Sequence, residues 1–166
     1  TPAPCRKMLK DAFKILMSGT EEECIEYIER CRKEFKSLPP EEVSFPRTAS
    51  NVEKWHSSAD LYGKGCPIHI RGAILYNHWT KKKDIDHKYA TIQNGEKIKF
   101  CYLKTPNWMH ENVISFIQDF PTELDLDKHV DYDLQFSKAF LDPIKVILDC
   151  IGWETERKNT LESFFS

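Results

Sequence analysis

Residues 67–82 constrain the fold more than any other stretch. Pro67 suits the opening of a helix, and Ile68, Ile70, Ala73, Ile74, Leu75 and Trp79 then fall on more than one side of it. A helix that is apolar around most of its girth has to be surrounded, so the chain must supply packing elements for several of its faces. Gly72 inside this helix costs about 1 kcal/mol relative to Ala, which predicts that another element packs closely there. The same reading puts His69 and Arg71 in the first turn and a half of a mostly buried helix.

The flanking segments supply the packing elements. Residues 4–18 read as an amphipathic helix with Met8, Leu9, Ala12, Phe13, Ile15 and Leu16 as its apolar stripe, stopped by Gly19. Thr20, with Glu23 three residues on, opens a second helix in a capping box. Its stripe is Cys24, Tyr27, Ile28, Cys31 and Phe35, and it ends at Leu38 before Pro39 and Pro40. The short connection predicts an antiparallel hairpin, with the charged residues of the second helix on a solvated face. Val43 to Phe45 reads as a short strand closed by Pro46, and 57–65 as loop. Asn94-Gly95 marks a turn, 96–103 alternates as a strand, and 111–117 is a second candidate strand. Asp131 caps a long final helix with Tyr132, Phe136, Phe140, Ile144, Val146, Ile147 and Leu148 inward. Pro143 kinks or divides it, and Gly152 ends it. The expected fold is α+β and predominantly α-helical. It comprises a helical hairpin, a buried central helix, a small β tip and a long C-terminal helix over residues 1–153, with a flexible tail over 154–166.

Composition excludes several classes. At 166 residues and 40% hydrophobic the chain can bury a core and is no disordered polymer. No apolar run approaches the length of a membrane span. Cys5, Cys24, Cys31, Cys66, Cys101 and Cys150 contain no C-x-x-C pair, which disfavours a zinc cluster, and several sit within apolar patterns as reduced thiols of a cytoplasmic protein would. No signal peptide is read, and a start at Thr1 rather than Met suggests a piece of something longer.

The net charge of −2 hides an asymmetry. Residues 1–60 sum to −1, residues 61–104 to +6 and residues 105–166 to −7. A basic middle beside an acidic end suggests a polyanion-binding face. No phosphate-binding loop, dinucleotide fingerprint, zinc-protease helix or nucleophile elbow is present, and the six histidines are too widely spaced for a local metal site. Asp125, Asp127, Asp131 and Asp133 form an acidic string that lacks the glycine and terminal glutamate of a calcium loop, and Asp131 already serves as a helix cap. Self-contained catalysis is therefore not expected.

Two features call for a partner. In 48–71, Ser50, Asn51, Lys54, Trp55, Lys64, His69 and Arg71 combine hydroxyl, amide and basic groups with a helix start, the donor set that phosphate oxygens use. At the chain end, one helical turn would put Leu161, Phe164 and Phe165 on one side, ready for a partner's groove. This is the arrangement of the peptide with which replication proteins dock on sliding clamps, although Lys158 stands where that motif usually has Gln.

The stretch Cys66-Pro67-Ile68-His69-Ile70-Arg71-Gly72-Ala73-Ile74-Leu75-Tyr76-Asn77 resembles the thumb of family B DNA polymerases from T-even-type bacteriophages. Further matches occur in family order: Lys10-Asp11-Ala12, Arg32-Lys33-Glu34-Phe35, Ala49-Ser50-Asn51-Val52-Glu53-Lys54-Trp55, Asn94-Gly95-Glu96-Lys97, Val130-Asp131-Tyr132 and Leu161-Glu162-Ser163-Phe164-Phe165. The resemblance implies a thumb that grips the newly made primer–template duplex. Ser50, Asn51, Lys54, Arg71, Lys97 and Lys138 fall on or beside positions that meet the DNA backbone. The family's loop lysine falls at Gly65 here, with Lys64 one residue earlier, and a further lysine is replaced by Asp142.

Other implications follow from the same resemblance. Leu161, Phe164 and Phe165 would bind the phage sliding clamp. The palm, fingers and exonuclease part would lie in the same chain or a separate subunit, within the cytoplasm of an infected bacterial host. Magnesium would be held by palm carboxylates absent from this stretch, so no cofactor is expected here and the fragment alone should be inactive. Two alternatives stay open: a stand-alone nucleic-acid-binding or clamp-binding accessory protein of phage replication, and a metal-dependent nuclease using the 125–133 carboxylates.

Overall fold

The computed structural model describes residues 1–157, and its fold is α+β and mostly helical. Two helices, α1 (Ala3–Ser18) and α2 (Glu21–Lys36), form the opening hairpin. Thr20 caps α2 by accepting the Glu23 amide at 3.2 Å. Its hydroxyl donates to the Glu23 carboxylate at 3.3 Å, so Glu23 answers the cap through the side chain. Of the α1 stripe, Phe13 is partly exposed and Met17 beside it almost fully so.

The first strand lies further along the chain than its sequence pattern indicates. Pro40–Val43 forms a one-turn helix, α3, and the strand β1 is Phe45–Thr48 with Pro46 inside it. Proline is tolerated there because β1 is an edge strand. The sheet runs β1–β2–β3, all antiparallel, with β2 at Lys97–Tyr102 and β3 at Val113–Phe116. Phe45 pairs with Phe100, Thr48 with Lys97, and Phe100 with Ser115.

The sheet is the middle layer of the domain. The central helix α4 (Ile68–Lys82) packs on the face that carries Ser115, and it buries Ile70, Gly72, Ala73, Ile74, Leu75, Tyr76 and Thr80. A Cβ on Gly72 would lie 2.8 Å from the Ser115 amide nitrogen and 3.1 Å from the Ile114 carbonyl carbon, which is the close approach its glycine predicts. Cys101 points to the opposite face, toward Ser44 and Glu41 of the α3 region, where burial pushes its thiol up to about 12.

The C-terminal helical run closes that opposite face. It consists of α5 (Tyr132–Phe136), a π-helical stretch Ser137–Leu141 and α6 (Asp142–Ile151). Asp131 caps it by accepting the Leu134 amide at 3.0 Å. The π-turn sits immediately before Pro143, where the Asp142 amide reaches back five residues to the Ser137 carbonyl. A wider turn accommodates a ring that has no N–H to offer the ladder. Gly152 ends the run with φ 75°. Phe136, Phe140, Ile144 and Leu148 follow a strict four-residue spacing and are buried. Val146 and Ile147 are not inward as expected: Val146 is 68% exposed, because a helix packed along one narrow seam turns those positions to solvent. Phe136 packs on Phe35 and Phe140 at centroid separations of 5.3 and 5.0 Å, which joins this run to the hairpin.

Residues 154–157, the described part of the tail, lie along α2. The Glu154 amide donates to Glu21, and Arg157 meets Glu22 at 2.7 Å and Glu26 at 3.7 Å. The α2 carboxylates, read as a solvated face, thus receive one basic partner. Residues 158–166, with Leu161, Phe164 and Phe165, lie outside the described residues. Among the described residues no helix is long and apolar enough to cross a membrane.

Candidate nucleic-acid interface

The structure brings Ser50, Asn51 and Lys97 to one end of the sheet. Beyond β1, the Ala49 amide donates to the Glu96 carbonyl at 2.8 Å, and the Gly95 amide returns a bond to the Ala49 carbonyl. Asn51 takes the left-handed conformation (φ 54°, ψ 40°), which an asparagine tolerates. This turn sends the chain into a 3-10 turn, Val52–Trp55. The side chain of Asn94 locks the start of that turn, accepting the Val52 amide at 2.8 Å across 42 residues. The loop that carries Asn94 is held by Asn77 of α4, which exchanges two hydrogen bonds with Ile92, at 3.0 and 2.8 Å.

Lys54 stands on the 3-10 turn with its Nζ 5.2 Å from the centre of the Trp55 ring. Trp55 is half-buried, and its carbonyl accepts the Gly63 amide at 2.6 Å, hooking the 57–66 loop to this cluster. Lys64 follows directly, exposed on the rim of a cleft of about 720 Å³ that it shares with Tyr62, Arg71 and Glu111. Lys54, Lys64, Lys97 and Lys138 have no ion pair among the described residues. A lysine ammonium group with no carboxylate partner is free to exchange its hydration for phosphate.

Arg71 is different. Its Nη1 donates to Glu111 Oε2 at 3.0 Å and to Asn112 Oδ1 at 2.8 Å, and its guanidinium lies 5.6 Å from the Tyr62 ring centre. His69 is also turned partly inward. Its ring centre lies 6.3 Å from that of Phe100, and its carbonyl accepts the Ser115 hydroxyl at 2.8 Å. Burial, and then the nearby Arg47 charge, lower its pKa below the ordinary histidine value, so at neutral pH it offers a neutral donor rather than a cation.

Lys138 stands apart. It lies on the π-helical stretch with Nζ 5.3 Å from the Tyr102 ring centre. Lys97 and Tyr102 mark opposite ends of β2, so Lys138 sits about 17 Å along the sheet from the Lys97 cluster at the usual rise per strand residue.

Two carboxylates of the acidic string are engaged within the fold. Asp125 occupies a left-handed turn position, Asp131 caps α5, and Asp133 pairs with Lys36 at 3.1 Å. Among the described residues, the His, Cys, Asp and Glu side chains close enough to share one ion are the exposed Asp84, Asp86 and His87. The charge asymmetry is partly settled inside the fold as well: Glu111 and Glu123, from the acidic third, pair with Arg71 and Lys88 of the basic middle.

Sequence reasoning missed Tyr62, Glu111 and Arg47. Arg47 is exposed on β1, its guanidinium 5.4 Å from the Phe100 ring centre. The alternation of β2 and the proximity of Arg47 to Pro46 carried the only usable signal for it. Tyr62 and Glu111 lie 49 residues apart, and no local pattern connects them.

No protein-family model matches the chain. It is 24% identical over 169 residues to the DNA-directed DNA polymerase of Enterobacteria phage T4, an alignment covering 99% of this chain and 18% of that protein. It is 27% identical over 171 residues to the DNA-directed DNA polymerase of Escherichia phage RB69, again covering 99% of this chain and 18% of the relative. The chain spans less than a fifth of the length of these curated relatives. Along nearly its whole length, this chain is similar to one segment of the DNA polymerases of T-even phages.

Proposed function

We propose that this chain is the thumb of a phage family B replicative DNA polymerase. It grips the primer–template duplex through the phosphate backbone and tethers the enzyme to the sliding clamp through Leu161, Phe164 and Phe165. Ser50, Asn51, Lys54, Trp55, Lys64, Arg71, Lys97 and Lys138 form the duplex face, with His69 as a neutral donor beside it. The palm, with its magnesium-binding carboxylates, is supplied by the rest of the polymerase, whether in the same chain or another. The observation that carries the reading is the set of unpaired lysines Lys54, Lys64 and Lys97 gathered around a pinned turn, in a chain similar along 99% of its length to two phage polymerases.

Backbone binding of this kind is independent of sequence and steeply dependent on salt. The test is duplex binding by the full chain, measured from low to moderate salt. Binding is expected, with a log–log slope that shrinks by about 1 when Lys54 or Lys97 becomes Ala, because each neutralises one phosphate. Absence of binding at low salt, or slopes identical in all variants, overturns the duplex-gripping role.

A further inference from the structure

We infer that Arg71, Glu111 and Tyr62 form a latch that holds the 57–66 loop so that Lys64 meets a backbone phosphate. The inference rests on the duplex-binding reading above and adds a positioning role to one of its residues. Arg71 is the family-matched position in α4, yet its guanidinium already holds the Glu111 carboxylate and the Asn112 side-chain oxygen, at 3.0 and 2.8 Å. The second carboxylate oxygen of Glu111 accepts the Tyr62 hydroxyl at 2.7 Å. Both charged side chains are mostly covered, 20% and 19% exposed. Both bonds are made by Nη1, so the pair fixes the guanidinium in place, and breaking it would strand a mostly covered carboxylate.

The placement of the latch explains its purpose. Arg71 precedes Gly72, and Glu111 and Asn112 lead into β3, so both stand on the tightest helix–sheet contact in the fold. Tyr62 belongs to the loop, whose other long-range tie is the Gly63 amide on the Trp55 carbonyl. The other hydrogen bonds of this loop are local: the Ala59 and Asp60 amides donate to the Ser57 hydroxyl, the Cys66 amide to the Gly63 carbonyl and the Cys66 thiol to the Pro67 carbonyl. Lys64 lies between these ties and the start of α4. Releasing Tyr62 therefore leaves the lysine held to the frame that carries the other duplex-facing groups by the Gly63–Trp55 bond alone.

The latch predicts the sign of one substitution. If Glu111 did no more than neutralise Arg71, Glu111→Gln would release a cation and tighten duplex binding. If the three residues are a latch, the same substitution weakens binding. Tyr62→Phe, which alters no charge, then weakens it too, each by about two- to tenfold, the range of a single lost hydrogen bond. Combined with Lys64→Ala, neither variant should lose further affinity, because both act through the same lysine.

Amide hydrogen exchange over 57–66, measured without DNA, reads the latch separately and should quicken in both variants relative to α4. Tighter binding by Glu111→Gln, full additivity with Lys64→Ala, or unchanged exchange overturns the inference. Faster exchange in a chain that binds no duplex would instead overturn the functional reading, and with it the role given to Lys64.

Discussion

Gly72 and Ser115 approach so closely that helix and strand touch backbone to side chain, with no room for a methyl group between them. Gly72→Ala should therefore destabilise the domain even though alanine is the better helix former. Overpacking costs about 1–3 kcal/mol and the propensity gain returns about 1. A lower urea midpoint with an unchanged slope is expected. Ser115→Gly in the same chain should recover only part of the loss, since the Ser115 amide nitrogen still stands 2.8 Å from the new methyl. A midpoint equal to that of the unaltered chain would show that α4 can ride away from the sheet.

Gln135 is fully buried, and its side-chain amide joins two elements. Its Oε1 accepts the Tyr102 amide at 2.8 Å, and its Nε2 donates to the Val43 carbonyl at 2.7 Å. Gln135→Leu would strand both backbone groups away from water, at about 1–3 kcal/mol each. Thermal unfolding should report a drop larger than for any single surface substitution. A drop no larger than that of a surface variant would mean that water reaches both groups.

Acidification should weaken the fold through two histidines. Burial lowers the pKa of His69 and His78 below 6.5, with Arg47 and Lys82 adding to the effect at the two sites respectively. Below 6.5 the unfolded chain binds protons that the native chain resists. The stability present above that value is thus lost as pH falls through it toward the depressed native values. Unfolding midpoints taken from pH 7.5 to 5 should decline, and His69→Gln should flatten the decline. A variant whose profile superimposes on that of the unaltered chain would remove His69 from this account.

Removal of residues 160–166 should abolish capture by the phage sliding clamp while leaving duplex binding and its salt slope unchanged. Pull-down with the purified clamp, run beside the DNA titration, separates the two activities. Loss of both together would make the chain end part of the folded domain rather than a tether.

The sequence made the helical elements legible because each carried its own punctuation. Thr20, Asp131 and Gly152 act where their residue types predict, and Gly72 announced a close neighbour without naming it. The strand β1 was misplaced because a proline normally closes a strand, and only its edge position in the sheet, a tertiary fact, lets Pro46 sit inside. Val146 and Ile147 look like core residues in a list of apolar positions, yet the helix packs along a four-residue seam that excludes them. At the candidate interface, the lysines were visible as charges, but which of them were free was not. Arg71 and Lys64 read alike until Glu111, 40 residues beyond Arg71, was found holding one of them.

The ties between the last helical run and the first third of the chain carry a consequence for synthesis on the ribosome. The Tyr132 hydroxyl donates to the Leu38 carbonyl across 94 residues, and Gln135 reaches Val43 across 92. The opening hairpin can form as soon as it emerges, but the face that receives Phe136 and Phe140 stays bare until those residues are made. At about 5–20 residues per second that interval is on the order of 5–20 s. For that time the nascent chain presents an apolar surface around Phe35 to whatever chaperone is nearest, and the domain locks only near the end of its own translation.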